Sequence, residues 1–316
     1  PLSFGRTQAL LEQLLGVGIR RGAIATIRER LSAALQHPVA EALEVARQQP
    51  VAYVDETGAP TGNADGGNPE GRRGWQWVMV TPVVTVFLQG LSRSAAAARE
   101  LLGAFAGNRY AEDCVNVVSD RFSAYNHLPL EQRQMCWAHL IRDLAAMAER
   151  HGASGEIGAQ LLALQQQLFA HWHHWKDGGL PWLELQHRCH PIRLAFEATL
   201  QRVVDLGCER GERTPWAQTV RTCCQLLQRK DALWTFLETP GIEPTNNAAE
   251  RALRPSVIHR KISHGVQSRA GGICRSRLLT VTATLRQQGR DVWSFLEQAW
   301  IAHRLGGEMP SLVQDR

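Results

Sequence analysis

The sequence alternates between segments with helical periodicity and short apolar runs that are typical of strands. Apolar residues recur at helical spacing over residues 7–15 and 23–35, on either side of a glycine-containing break at 16–18. Three β-rich runs follow, at residues 51–54, 75–80 and 83–88. Their order predicts an antiparallel meander, and the glycine-rich residues 61–74 predict a long, mobile loop within it.

Helices and two further strands are predicted next along the chain. Residues 94–105 and 139–150 have the composition of helices, whereas residues 115–119 and 134–137 are typical of a fourth and a fifth strand. The order β-β-β-α-β-β-α predicts an α/β fold in which helices cover the faces of a mixed sheet.

The second half of the chain shows mainly helical signals. They run from residue 155 to 239, with expected breaks at Gly178–Gly179, Pro191 and Gly211, and again from 247 to 304, with an expected interruption at Gly271–Gly272. We therefore divide the chain into four segments: a helical N-terminal segment at 1–48, the first part of the core at 49–150, an all-helical insertion at 151–240, and basic helices that complete the core at 241–316.

Composition and charge narrow the class of protein. At 316 residues with 44% hydrophobic content the chain can bury a substantial core, and its net charge of +5 favours a polyanionic partner. Seven cysteines without a secreted-scaffold pattern predict reduced thiols in a cytosolic protein. No signal peptide is recognisable, and no apolar run is long enough to predict a membrane span. Because the chain opens at Pro1, we expect a processed chain or a fragment.

Three acidic residues stand where a two-metal phosphoryl-transfer site needs them. Asp55 and Asp120 end predicted strands, and Glu250 falls on the first turn of a predicted helix. Strand ends hold carboxylates rigidly, and such carboxylates bind Mg²⁺ or Mn²⁺ ions. Two other interpretations stay open: Glu56 in place of Asp55, and a capping box between Asn247 and Glu250, which would give that acid a purely structural role.

A run of cations follows the third acid. Residues 251–290 contain no Asp or Glu, and their arginines and lysine are typical of a surface that holds a DNA backbone. The DNA-binding candidates are Arg251, Arg254, Arg260, Lys261 and Arg269. The alternative is a solvated helical face, although such faces usually mix both signs of charge. The N-terminal helices, which carry Arg28 and Arg30, predict either a helix-turn-helix or a lead-in packed on the core.

Five separated motifs closely resemble the large transposase of the "insertion sequence 66" family of bacterial mobile elements. They are Asp55–Gly58, Ser119–Tyr125, Cys136–Arg142, Thr245–Pro255 and, behind these, Arg260–Lys261 with Gln267–Gly271. The resemblance implies a ribonuclease-H-like fold interrupted by the helical insertion between the second and third acids. It also implies a DDE triad of Asp55, Asp120 and Glu250, and metal-dependent cleavage and strand transfer at element ends. Family members usually carry a further region upstream of residue 1.

The resemblance further implies supporting residues and partners. Cys136, His139, Asn246 and Asn247 would support the site, and two Mg²⁺ or Mn²⁺ ions would bind the acids. The expected partners are terminal-repeat and target DNA, a second copy on DNA, and accessory proteins of the same element, in the bacterial cytoplasm or nucleoid and without a membrane. A decayed transposase that only binds DNA, or a ribonuclease-H-like nuclease without strand transfer, are the alternatives.

Cysteines and histidines allow two metal-binding interpretations besides the acids. Cys136 and His139 could take zinc with Cys189, His187 or His190, although no standard spacing supplies the second pair. The run at residues 171–175 contains three histidines and two tryptophans, and the edge of an amphipathic helix with aromatic packing explains it better than a metal site does.

Overall fold

A five-stranded mixed sheet and twelve α-helices make up the part of the chain that the computed structural model describes, residues 3–103, 116–263 and 265–314. The strands are β1 (Val51–Gly58), β2 (Trp75–Val80), β3 (Thr85–Gly90), β4 (Asn116–Ser119) and β5 (Arg133–Met135), in the order β3-β2-β1-β4-β5. The helices are α1 (Phe4–Leu15), α2 (Arg21–Ala34), α3 (Gln36–Arg47), α4 (Ala95–Leu102), α5 (Trp137–Ala148), α6 (Ala153–Lys176), α7 (Trp182–Leu206), α8 (Pro215–Leu227), α9 (Asp231–Glu238), α10 (Asn247–Ser263), α11 (Arg269–Gln287) and α12 (Val292–Leu305).

The chain divides into two compact units. Unit 1 comprises Pro1–Val117, Phe122–His127 and Asn247–Arg316, and unit 2 comprises Val118–Arg121 and Leu128–Asn246. Unit 1 therefore contains β1 to β3 and the C-terminal helices α10 to α12. Unit 2 contains β5 and the helices α5 to α9.

The predicted antiparallel meander of β1, β2 and β3 is confirmed. Both strand pairs are antiparallel, and β2 is paired along its full length with β3. The prediction that Asp55 ends its strand is wrong, because β1 continues to Gly58. The residues after Asp55 stay in the ladder opposite β2, with Gly58 facing Trp75 in register. Asp55 therefore lies within a rigid strand.

The N-terminal segment forms three helices where the sequence pattern predicts two. Helix α3 begins immediately after Leu35, and neither a glycine nor a loop separates it from α2. Helix α2 packs on α11 and α12, and Arg277 donates a 2.7 Å hydrogen bond to the Ser32 carbonyl. This packing is the arrangement that a lead-in to the core requires.

The β1–β2 loop (residues 59–74) is tied down, which corrects the prediction of a mobile loop. The Asn68 side chain is buried and donates hydrogen bonds to the carbonyls of Thr61 (2.8 Å) and Arg72 (2.9 Å), while its Oδ1 accepts from the Arg72 N–H (2.9 Å). The Asp65 carboxylate accepts from the first amides of α11, including Ala270 (2.8 Å). These hydrogen bonds lower the pKa of Asp65.

Two predicted breaks lie inside helices instead. Pro191 sits within the 25 residues of α7, where packing on α6 and α8 outweighs the loss of one backbone hydrogen bond. Gly271 and Gly272 lie in the first turns of α11. A Cβ at Gly272 would come within 2.7 Å of the Gln89 side chain, so glycine allows α11 to approach β3 closely.

The remaining elements differ from the sequence pattern mainly at their ends. The predicted helix at 94–105 is α4, for which the Ser94 side chain accepts from the Ala97 N–H. Its last predicted residues, the first residue of the predicted strand at 115–119 and Cys114 lie outside the described residues. The predicted fifth strand ends before Trp137, which begins α5.

Unit 2 is held together by an aromatic core. The Trp137 ring lies 5.4 Å from that of Trp234 and 5.5 Å from that of Phe196. The histidine- and tryptophan-rich run lies at the end of α6, where buried Trp172 packs against Trp175 and Phe236. This confirms the aromatic-packing interpretation of the run. None of the described helices combines the length and the apolar character that crossing a membrane requires.

Replacement of Asn68 by alanine should destabilise unit 1. The change leaves the Arg72 amide and the Thr61 carbonyl without their partner, and we expect the free energy of unfolding to fall by about 1–3 kcal/mol. Urea denaturation and limited proteolysis of the β1–β2 loop would measure the effect. Glu70→Ala is the control, because Glu70 lies exposed in the same loop and pairs only at the surface with Arg72. Equal stability of the two variants would contradict the structural role of Asn68.

Candidate active site

The two neighbouring acids of β1 have different environments. The Glu56 side chain is fully buried, with Oε1 2.7 Å from Arg93 Nε and 2.6 Å from Nη2. Its Oε2 accepts a 2.6 Å hydrogen bond from the Tyr125 hydroxyl. Asp55 is half-buried, and its Oδ1 accepts from the Glu56 N–H (2.8 Å). Because successive strand residues point to opposite faces, the fixed position of Glu56 directs Asp55 to the other face of β1.

Aromatic rings surround the arginine that neutralises Glu56. The Arg93 guanidinium lies 3.8 Å from the centroid of the Phe122 ring and 4.9 Å from that of Trp75. Phe122 and Tyr125 belong to the segment of unit 1 that follows the second candidate acid along the chain. The buried carboxylate therefore binds this segment to β1 through one ion pair, one hydrogen bond and cation–π contacts.

The backbone at Asp120 is held within unit 2 by a buried arginine. Arg133 donates from Nη2 to the Asp120 carbonyl (2.7 Å) and from Nε to the Ser119 hydroxyl (3.1 Å). Only 1% of Arg133 is exposed, whereas Asp120 is half-buried. The arginine therefore fixes the chain at the end of β4 and leaves the Asp120 side chain able to reach solvent.

Cys136 and Trp137 connect three of the motif segments inside unit 2. The Cys136 N–H donates to the Ser119 carbonyl (2.8 Å), one residue before Asp120. The Cys136 Sγ accepts from the Asn246 N–H (3.1 Å), and the Trp137 N–H donates to the Pro244 carbonyl (2.9 Å). Cys136 thus packs inside unit 2 and forms hydrogen bonds there. The supporting role that the resemblance implies for it stays a prediction.

Glu250 lies on α10 in unit 1, on a helix that packs against β1 and β2. The helix begins at Asn247, and Glu250 lies in its first turn. The capping-box alternative for Asn247 and Glu250 stays a prediction. Glu243, the other acid near this motif, is paired with Lys176 (2.5 Å) in unit 2.

The candidate carboxylates have the chemistry that a magnesium site needs. Asp55, Asp120 and Glu250 are all half-buried. Mg²⁺ prefers oxygen ligands and keeps several waters, so a carboxylate that is not fully enclosed suits it. The fully buried Glu56 carboxylate is enclosed by Arg93 and Tyr125. Asp55 and Glu250 belong to unit 1, and Asp120 belongs to unit 2.

The predicted cationic run separates into exposed and inward-facing residues. The exposed members are Arg251, Arg254, Lys261, Arg269 and Arg286. Arg260 is half-buried, and its Nη1 donates to Thr57 Oγ1 (3.1 Å) and to the Gly58 carbonyl (3.4 Å). Three others serve packing or capping contacts, and they are Arg275, Arg277 and Arg290. The predicted DNA-binding surface is therefore limited to the exposed cations and Arg260.

The zinc partners proposed from the sequence do not lie beside Cys136 and His139. Among the described residues, Cys189, His187 and His190 do not join Cys136 and His139 in a group with metal-ligand spacing. Burial raises the pKa of the Cys189 thiol to about 11, which disfavours the thiolate that zinc binds.

Sequence reasoning missed the residues that hold the acids in place. Tyr125 ends the Ser119–Tyr125 motif, but the sequence gives it no role at the site. Arg93 and Arg133 lie outside the motifs. A carboxylate in the middle of an apolar strand requires a buried partner, so the position of Glu56 predicts that a basic residue such as Arg93 pairs with it. Nothing in the sequence around Arg133 distinguishes it from a surface arginine.

Isosteric substitutions distinguish the structural acid of β1 from the candidate ligand. Glu56→Gln leaves the Arg93 charge partly buried without its counterion, and we expect the free energy of unfolding to fall by about 3 kcal/mol or more. Asp55→Asn should change it by less than about 1 kcal/mol. Chemical denaturation of both variants measures the difference. A larger loss for Asp55→Asn would assign the structural role to Asp55 and contradict its role as a metal ligand.

Comparison with known proteins places the chain in a family. The family model described as "Transposase IS66 family" matches residues 1–273. Over 327 aligned positions the chain is 25% identical to y4qI, an uncharacterized protein of Sinorhizobium fredii, and the alignment covers 93% of this chain and 57% of that protein. The chain is also 34% identical over 105 residues to y4jO, another uncharacterized protein of this organism, with 33% of this chain and 31% of that protein covered. No solved structure matches.

The matched residues include all three candidate acids and the Cys136 segment that connects the motifs of unit 2. The match covers well over half of the chain, and its description agrees with the family that the motifs resemble. The chain belongs to the IS66 transposase family.

Proposed function

We propose that the chain is the catalytic core of a DDE-type DNA transposase, which cleaves DNA at the ends of its element and joins the freed 3′ ends to target DNA. Family membership supports the substrate class. The observation that carries the proposal is the difference in burial between the acids. Asp55, Asp120 and Glu250 are half-buried, whereas the Glu56 carboxylate is fully buried and enclosed by its partners.

The sheet supports a ribonuclease-H-like core. An antiparallel meander forms one edge of a five-stranded mixed sheet, with β4 beside β1. The Asn116 N–H donates to the Pro50 carbonyl (2.9 Å), so β1 and β4 begin side by side and run in the same direction. Asp55 comes five residues after Pro50, and Asp120 comes four residues after Asn116.

In this proposal the three carboxylates hold two Mg²⁺ or Mn²⁺ ions. When bound, such ions polarise the scissile phosphate and favour deprotonation of the attacking water or 3′-hydroxyl. The chain's own part is positioning: β1 and the Arg133-bound backbone hold Asp55 and Asp120, and α10 presents Glu250. The exposed Arg251 and Arg254 on the same helix bind the phosphates of the DNA strand being cut.

The same proposal includes the partners that the reaction needs. The substrates are the terminal repeats of the element and the target DNA. Two copies of the chain act together on the DNA, because two element ends must be joined to one target.

A comparison of Glu250→Gln with Glu243→Gln tests the third acid. Both replacements remove one carboxylate near the same motif, but Glu243 is paired with Lys176 at the surface of unit 2. We expect Glu250→Gln to lower Mn²⁺-dependent cleavage of an element-end duplex at least about a hundredfold, since it removes an oxygen ligand of the ions. Cleavage by Glu243→Gln should stay close to that of the wild type.

Both variants should bind the uncut duplex with the affinity of the wild type, because neither removes a cation. Gel-shift titration provides that control. Loss of cleavage in Glu243→Gln together with activity in Glu250→Gln would reassign the third acid and contradict the proposed triad.

A further inference from the structure

Two arginines converge on a single point beside the end of β1. That point is where a Cβ on Gly58 would lie: Arg73 Nη2 is 2.6 Å from it and Arg260 Nη1 is 3.3 Å from it. The first arginine comes from the β1–β2 loop and the second from α10, so two elements distant in sequence direct their guanidinium groups to one place. Both elements belong to unit 1.

No acid among the described residues forms an ion pair with either arginine. By contrast, two other arginines of unit 1 do form ion pairs: Arg72 with Glu70, and Arg93 with Glu56. Two like charges this close repel each other, and an anion between them would turn that repulsion into attraction. The arrangement therefore has the charge of an anion site and no internal anion to fill it.

The two guanidinium groups are held in place and still have donors to offer. Arg73 is exposed and lies over the Trp75 ring, 4.8 Å from its centroid. Its backbone is fixed between the Asn68-bound Arg72 and Gly74, whose carbonyl accepts from the Ala59 N–H (2.8 Å). Arg260 uses only Nη1 to bond Thr57 and Gly58. An arginine has five N–H donors, so most of them remain available to a phosphate.

The point over Gly58 lies on the face of β1 that carries Glu56, because side chains two apart on a strand share a face. Trp75 pairs with Gly58 in register, and its ring contacts both Arg73 and Arg93, the partner of Glu56. Arg260 also bonds to the Thr57 hydroxyl, so its guanidinium group lies at the end of β1, where it contacts groups of both faces. Gly58 matters here because it leaves open the space into which both guanidinium groups reach.

We propose that Arg73 and Arg260 form a phosphate-binding site over Gly58, at the end of β1, and that its ligand is a backbone phosphate of the bound DNA. The inference rests on the proposed function for the choice of DNA as the ligand. It adds Arg73, which no motif indicates, and it gives Arg260 a defined position where sequence reasoning assigned it only to a general basic surface.

Matched replacements in the β1–β2 loop test the site. Arg72→Ala and Arg73→Ala remove the same charge from adjacent positions, but only Arg73 points to Gly58. Binding to a random-sequence 20-base-pair duplex would be followed by fluorescence anisotropy over a range of salt concentrations. For Arg73→Ala we expect affinity near 0.1 M salt to fall about five- to tenfold and the slope of log K against log salt to flatten by about one, as loss of one phosphate contact predicts.

Arg72→Ala should change affinity by less than about twofold, because its charge is already compensated by Glu70. Gly58→Ala provides a second variant that keeps every charge. Its methyl group displaces only the far end of the Arg73 side chain, so the protein should fold with an unchanged melting temperature and bind the duplex about as weakly as Arg73→Ala.

Inorganic phosphate distinguishes the ligand's source. Phosphate that competes with the duplex more strongly in the wild type than in Arg73→Ala identifies a site for the phosphate group itself. If phosphate competes equally in both proteins while Arg73→Ala still binds the duplex more weakly, the site requires the DNA strand. Equal duplex binding by Arg72→Ala, Arg73→Ala and the wild type would overturn it. If the site is overturned in this way, intact Mn²⁺-dependent cleavage by the wild type would still support the proposed function. Conversely, a wild type that binds the duplex through Arg73 but never cuts it would contradict the function and not the site.

Discussion

The burial of the Glu56 carboxylate is the constraint on which the arrangement around β1 depends. A charge enclosed by protein is tolerated only when it is paired and hydrogen-bonded, and here Arg93 and Tyr125 provide both. The pair fixes which face of β1 is closed and so directs Asp55 to the other. It also holds the segment that follows Asp120 along the chain, through Tyr125 and the Phe122 ring under Arg93. One buried ion pair therefore orients the first acid and anchors the chain beyond the second.

The cations of the chain fall into two groups, those that bond to other parts of the protein and those that are exposed to solvent. Arg133 is buried and satisfied by the backbone around Asp120, and Arg277 is satisfied by the carbonyl of Ser32. These residues carry charge for structural reasons and would contribute little to DNA binding. The exposed cations of α10, and the two guanidinium groups that meet over Gly58, have no carboxylate in an ion pair among the described residues. Counting arginines along the sequence overstates the DNA-binding surface, because it does not separate these two groups.

Local patterns in the sequence were sufficient to predict the meander, the aromatic packing at the end of α6 and the helical character of residues 151–240 within the described chain. Long-range contacts explain where the pattern misleads. Glycines usually interrupt helices, yet Gly272 lies in α11 because β3 approaches there, and a glycine-rich loop is ordered because Asn68 is buried within it. The choice between Asp55 and Glu56 could be argued from strand alternation alone. The partners that make the argument firm, Arg93 and Tyr125, are far from β1 in sequence.

The proposed transposase chemistry is tested most directly by metal-dependent cleavage of a labelled duplex that carries the end of the element, with wild type compared with Asp120→Asn. The replacement leaves the Arg133 contact to the Asp120 carbonyl in place, so the variant should fold and bind the duplex as the wild type does. The account predicts that the wild type cuts the duplex in Mn²⁺ and that Asp120→Asn does not. Equal cutting by both proteins, or cutting by the wild type that persists when the metal is chelated, would contradict it.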